Sequence, residues 1–144
     1  MYNTYSFDDV SATFSHPAVG LLQIGGEASG VGSIGINFTT DVTAHDIAAD
    51  GTVMISKIKA SNGTIALVCQ QNSAVNRFLT RWYNYIRQAD SGQWAGAILA
   101  LRDSVGGDSY VCTGVSPQKL ADRSYQAQGQ QVTWNLMAAD IQYN

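Results

Sequence analysis

Apolar residues recur at every second position over much of the chain, and the phase of that alternation marks out candidate strands. Near the start, Tyr5 and Phe7 alternate, then Val10, Ala12 and Phe14 do so one residue out of step. One extra residue at Asp8-Asp9 would restore the buried face, so the segment predicts a strand with a bulge there. Ser15 to Gly30 is rich in turn formers and predicts a loop around a short apolar patch, Val19 to Ile24. Ile34, Ile36 and Phe38 then recur at period two in a run of β-branched and aromatic residues, a strand signal. Asp41 to Ile58 predicts two strands around Ala48-Ala49-Asp50-Gly51, because Asp-Gly suits a hairpin turn and Val53 and Ile55 alternate after it. Ala60 to Gly63 predicts another turn, with positive φ at Asn62-Gly63. In Thr64 to Cys69 both faces are apolar, as in a strand covered on both sides.

The period then changes to that of a helix. Val75, Phe78, Leu79, Trp82, Tyr83 and Ile86 share one face, and Arg77, Arg81, Asn84 and Gln88 take the other. Asn72 or Ser73 can cap the first free amides, and Gly92 is a natural stop. Two strands follow, Trp94 to Arg102 and Ser109 to Val115, joined by a hairpin loop from Asp103 to Asp108. Ser116 to Gly129 is polar and predicts a loop that exposes Lys119, Asp122 and Arg123. A last strand spans Gln131 to Ile141, with Val132, Trp134, Leu136 and Ala138 inward and Thr133 and Asn135 outward. These elements predict a single domain over residues 1–144, mainly β with one α-helix.

Candidate chemistry is sparse. Gly30, Gly32 and Gly35 form a G-x-G-x-x-G, with Asp50 about twenty residues on. A dinucleotide turn needs a strand before its first glycine and a helix after its third, because the helix N-terminus holds the pyrophosphate. Here Gly25 to Ser29 precede it and a strand follows, so the glycines read as points of turning or close backbone approach. His16 and His45 have no nucleophile at a known spacing, and there is no G-x-S-x-G. Two histidines and two cysteines set far apart, with Asp41, Asp46 and Asp50 too widely spaced for a calcium loop, predict no metal and no cofactor. Asp8-Asp9 reads as a solvated pair. With one glutamate in the chain, paired-carboxylate catalysis would rest on aspartates alone. Cys69 and Cys112 lie in strand-like contexts and predict buried, reduced thiols.

Charge changes the picture more than motifs do. Charged residues make up 13% of the chain while 45% of it is hydrophobic; a typical charged share is about 25%. Two accounts fit: a surface covered by other subunits, or a monomer solvated by Ser, Thr, Asn and Gln. Net charge is −3, with eight basic residues and no basic block, which disfavours tight nucleic-acid binding through phosphate neutralisation. No apolar run is long enough to span a membrane. The opening Met1 to Val10 carries acids where an export signal would carry bases, so export by the usual route is not expected.

The order of elements, the opening YSFDDVSATF, the block DGTVMISKIKASNGTIALVCQQNSAVNRFL and the closing QVTWNLMAADI resemble the tail-tube structural proteins of contractile-tailed bacteriophages. The resemblance implies a non-enzymatic virion protein with an antiparallel β-sandwich or partly closed barrel flanked by a helix. It implies six subunits joined edge to edge in a ring, and rings stacked into a hollow inner tube that conducts DNA. The implied partners are further copies of the chain and sheath, baseplate and tail-terminator proteins, with assembly in the host cytoplasm and non-specific DNA passing through the lumen. Candidate stacking residues are Tyr2, Tyr5 and Phe7 of the N-terminal arm, with Asp46 and Asp50 in the 39–51 hairpin. Asp41, Asp46, Asp50 and Asp108 are candidates for a lumen that repels phosphate. A secretion-system tube of the same architecture is an alternative. From another class, so is a carbohydrate- or peptide-binding module that uses Trp94, Trp134, Tyr110 or Tyr125.

Overall fold

The computed structural model describes residues 1–25 and 30–144. The part of the expected Ser15–Gly30 loop at 26–29 lies outside them. The strands are β1 (Val10–His16), β2 (Gly20–Ile24), β3 (Val31–Phe38), β4 (Thr43–Ile47), β5 (Val53–Lys57), β6 (Gly63–Gln70), β7 (Ala97–Asp103), β8 (Ser109–Pro117), β9 (Gln131–Ala138) and β10 (Asp140–Tyr143). The helix α1 spans Ala74–Gln88. The main sheet is antiparallel and open, in the order β2-β1-β7-β8-β9-β6-β3, with β10 also on β8. The strands β4 and β5 form a separate two-stranded ribbon. The fold is thus the expected one: mainly β, antiparallel, with one flanking helix.

The two halves of the sheet share β8. Pro117 and Ser116 pair with Leu136 and Met137 of β9, and Thr113 to Tyr110 pair with Asp140 to Tyr143 of β10 in unbroken register. The strand expected from Gln131 to Ile141 is therefore nearly continuous but breaks at Ala139, whose amide donates to the Thr113 carbonyl at 3.1 Å. Opposite it, Gly114 has φ +64°, and a Cβ there would lie 2.7 Å from the Ala139 side chain. Both chains bend where only a small residue fits.

The helix fills the concave side. Val75, Phe78, Leu79, Trp82 and Ile86 are buried as the period predicts, while Tyr83 is half-buried. Phe14 of β1 meets Phe78 and Trp82 edge to face at 6.1 and 4.8 Å, a geometry that adds about 0.5–1.5 kcal/mol per pair beyond burial. Trp134 of β9 is fully buried and donates its indole N–H to Asn76 Oδ1 at 3.0 Å. The Asn76 amide in turn donates to the Gln71 carbonyl at 2.7 Å, so one buried side chain ties the first turn of α1 to the sheet. Ser73 supplies the cap, its hydroxyl accepting from the Asn76 amide at 3.2 Å. Among the described residues the only ion pair is Lys119–Asp122, at 3.2 Å and exposed, so apolar packing and the strand ladders hold the fold.

Several expectations are corrected. Phe7–Asp9 is a 3-10 turn rather than a bulged strand, because Ser6 Oγ accepts the Asp8 amide and offers the backbone a local partner. Most of the patch Val19 to Ile24 forms β2 from Gly20, folded back on β1 through a turn at Pro17 to Val19, where a loop was expected. The helix ends at Ala89, and Gly92 lies in a separate 3-10 turn, Ser91–Gln93. The strand expected from Trp94 begins at Ala97. Gly63 does not supply positive φ; it opens β6, and a Cβ there would overlap the Asn37 carbonyl oxygen. Arg123 is half-buried rather than exposed and donates to Thr80 Oγ1. The outer face of β6, Ala66 and Val68, is half-covered, whereas Ile65, Leu67 and Cys69 are buried.

Replacing Asn76 by Ala strands the buried Trp134 N–H and the Gln71 carbonyl. An unmatched buried group costs roughly 1–3 kcal/mol, and each kcal/mol lowers the melting temperature of a domain this size by roughly 2–4 °C. Thermal unfolding followed by circular dichroism is expected to show that drop with the far-UV spectrum unchanged below the transition.

Candidate assembly surface

Exposed apolar residues cluster on the ribbon and on the N-terminal arm. Every residue of β4 and β5 is exposed, including Ile47, Val53, Met54 and Ile55, and Val42 and Ile58 at the base are exposed too. The sequence explains the shape. Asp50 Oδ1 accepts the Thr52 amide at 2.9 Å, Gly51 takes φ +91°, and its amide donates to the Ala48 carbonyl, so Asp-Gly forms the expected turn. The turn amide also holds the Asp50 carboxyl below its ordinary pKa. Cross-strand partners point to the same face. One face carries Thr43 and Lys57, His45 and Ile55, Ile47 and Val53; the other carries Ala44 and Ser56, Asp46 and Met54. The first face is apolar at Ile47, Val53 and Ile55, the second is mixed, with Met54 and Ala44 beside Asp46 and Ser56, and a two-stranded ribbon has no third strand or helix to shelter either.

The rest of the surface adds three features. The main sheet ends in two open edges, β2 and β3, which leave backbone groups free for another chain. The N-terminal arm is exposed at Tyr2 and Tyr5, with Phe7 at the margin of exposure. Between the start of β3 and the β7–β8 pair lies a cleft of about 460 Å³, lined by Phe7, Val10, Ile34, Leu101 and Tyr110, with Asp103 and Asp108 among its lining.

The acidic candidates separate. Asp41, Asp46 and Asp50 belong to the ribbon and its base and are exposed. Asp108 lies apart, at the turn before β8, where its Oδ1 accepts the Tyr143 hydroxyl at 2.7 Å and raises the pKa of that phenol. The cleft and the two-faced ribbon were not legible from motifs. The one local signal was Val53-Met54-Ile55, three successive apolar residues in a strand with no covering element assigned to either face.

Among the described residues, the histidines and cysteines singled out in the sequence lie apart from one another. His16 is buried, its Nδ1 accepting from the Ala18 amide at 3.2 Å and its Nε2 donating to the Gln93 carbonyl at 3.1 Å. His45 stands exposed on the ribbon. Cys69 and Cys112 are buried free thiols, as expected, and burial pushes Cys112 up to about 11. Among the described residues no three metal-ligating side chains cluster, and no helix is long and apolar enough to cross a membrane. Gly30, the first glycine of the nucleotide-like pattern, has φ +72°, and a Cβ there would lie 2.6 Å from Ser73 Cβ. It serves close approach, and the strand β3 follows it. The aromatics of the rival binding module do not form a platform: Trp134 is in the core, Tyr110 is half-buried, and only Tyr125 is freely exposed, with Trp94 at 39%.

Residues 2–144 match the family described as bacteriophage PhiTE tail tube protein. The chain belongs to this family of tail tube proteins, which are structural components and not enzymes. No curated protein sequence matches it. Among solved structures it is similar to a chain of the anti-feeding prophage baseplate, 6-fold symmetrised (10% identity, TM-score 0.63, 100% of this chain and 97% of that one). It is also similar to a chain of the PVC sheath/tube terminator of an extracellular contractile injection system (12%, 0.60, 100% and 98%). A third similar chain comes from the PVC sheath-tube complex in its extended state (13%, 0.57, 92% and 87%). At these identities the likeness establishes a shared fold.

In the free subunit the ribbon amides have solvent on both faces. Hydrogen exchange is expected to be fast over residues 43–57 and slow over β6 and β9. On assembly, protection is expected to rise first and most in the ribbon, read by mass spectrometry of peptides from subunit and polymer.

Proposed function

We propose that the chain polymerises as stacked rings of six subunits into the hollow inner tube of a phage tail, through which DNA passes. The observation that carries this reading is the β4–β5 ribbon, exposed on both faces, with Ile47, Val53 and Ile55 on one and Met54 on the other, and sheltered by none of the described residues. Such an element is stable only between other surfaces, and stacked rings supply two. The open edges β2 and β3 suit ring closure, because a head-to-tail ring pairs one edge with the next subunit's other edge and leaves none free. The low charge content then reflects surface that becomes interface. The N-terminal aromatics Tyr2, Tyr5 and Phe7 add stacking area, as do the ribbon residues around Asp46 and Asp50.

Passage of DNA rests on charge. Each copy adds a net −3, and acids turned to the lumen repel phosphate so that DNA slides without sticking. Asp41, Asp46 and Asp50 are the proposed lumen acids, with Asp108 a separate candidate beside the cleft. The tube would meet sheath, baseplate and terminator proteins, consistent with the assemblies in which its structural neighbours occur. It would assemble in the host cytoplasm and reside in the virion tail.

Light scattering after size-exclusion chromatography, then negative-stain microscopy, tests the assembly. Rings or tubes with an open channel are the expected outcome, and a dispersed monomer at high concentration would refute it. Reversing Asp41, at the base of the ribbon, to Lys in the phage is expected to leave tails intact but slow genome delivery; unchanged delivery would remove its lumen assignment.

A further inference from the structure

The ribbon and the cleft complement each other within one sequence. The ribbon face formed by Ile47, Val53, His45, Ile55 and Lys57 is apolar with a cation at one end and bears no carboxylate. The cleft is apolar at Val10, Ile34, Leu101 and Tyr110 and bears the carboxylates Asp103 and Asp108. We propose that this ribbon face of one copy seats in the cleft between β3 and the β7–β8 pair of a second copy, with Lys57 against Asp108. The inference rests on the tube reading above and names where the ribbon is received.

Chain geometry favours a second copy over the ribbon's own. The ribbon leaves from the end of β3 at Phe38, whereas the cleft uses the beginning of the same strand at Gly32 to Ile34. At ~3.3 Å per residue those positions on β3 are roughly 13–20 Å apart, and the ribbon makes no strand pairing with its own main sheet.

The two acids of the cleft are not equivalent. Asp103 Oδ1 accepts the amides of Val105 and Gly106 at 3.2 and 3.1 Å and is committed to its turn. Asp108 has one oxygen on Tyr143, and its other oxygen has no partner among the described residues. Asp103 Oδ2 likewise has no partner among the described residues, but Asp103 takes two bonds from its own turn against one at Asp108, so Asp108 is the freer of the two to meet an incoming cation. Apolar contact supplies the affinity, and the Lys57–Asp108 pair sets the register, the role that charge complementarity plays at most interfaces. The opposite ribbon face, with Met54 and Asp46, remains for the other layer.

Lys57→Cys combined with Asp108→Cys tests the contact in the full chain. The native cysteines are buried, so they contribute little background. A lysine-length gap exceeds the Cβ separation of a disulfide, about 3.5–4.5 Å, so a short bifunctional thiol reagent is used. Intermolecular crosslinks in assembled material, absent after dilution to subunits, are expected. Assembled tubes that give no crosslink would overturn the inference while leaving the tube reading intact; a wild-type chain that never assembles would overturn both. Charge exchange gives a second readout. Asp108→Lys and Lys57→Asp are each expected to lower tube yield several-fold, and the combined variant to restore it, with circular dichroism confirming a folded subunit each time. Asp108→Asn keeps a partner for Tyr143 and is expected to give an intermediate yield. Full assembly of both charge-reversed single variants would overturn the pairing.

Discussion

The pairing of β8 with both β9 and β10 in one register carries the rest of the molecule. On one side of this seam hang β7, β1 and β2; on the other hang β6 and β3. Bending the seam at Gly114 and Ala139 lets one sheet present its inner face to α1 from more than one direction. That is why Phe14 from one half and Trp134 from the other both reach the helix. Without the bend the sheet would bury less of α1. With it the sheet still does not close, so two edges stay open. Open edges are a hazard in a monomer and a means of joining in an oligomer.

Much of this was written in local periodicity. The helix face, its Ser73 cap, the Asp50-Gly51 turn and the inward set Val132, Trp134, Leu136 and Ala138 follow from patterns spanning a few residues. The departures arise where the deciding partner is distant in sequence. The break at Ala139 depends on Gly114 across the strand pair, and Gly63 is needed because the Asn37 carbonyl closes on it. Arg123 is held by Thr80, 43 residues away. The β2 strand was obscured because its alternation is short and only Ile24 is buried. Of the assembly surface, the exposed arm aromatics and the hairpin were legible, since both are local. The cleft was not, because Ile34, Leu101 and Tyr110 meet only once the sheet has curved.

The sparse charge has a physical account in the assembly proposed above. A subunit that must cover much of its surface with copies of itself gains from uncharged faces, because burying a charge costs free energy unless it is paired. The residues that elsewhere build catalytic sites are here given to the core: His16, Cys69 and Cys112 are all sealed within it.

The unsupported ribbon also bears on kinetics. Ordering its backbone costs roughly 1–2 kcal/mol per residue, and in an isolated subunit only the ribbon's own ladder and turn offset that loss. Two free subunits meeting must both settle their ribbons before either has a complete seat. A subunit arriving at a finished layer meets a surface already held rigid. Growth on an existing end of the proposed tube is therefore easier than starting a new one, so assembly is expected to lag and then to run quickly from the ends already formed.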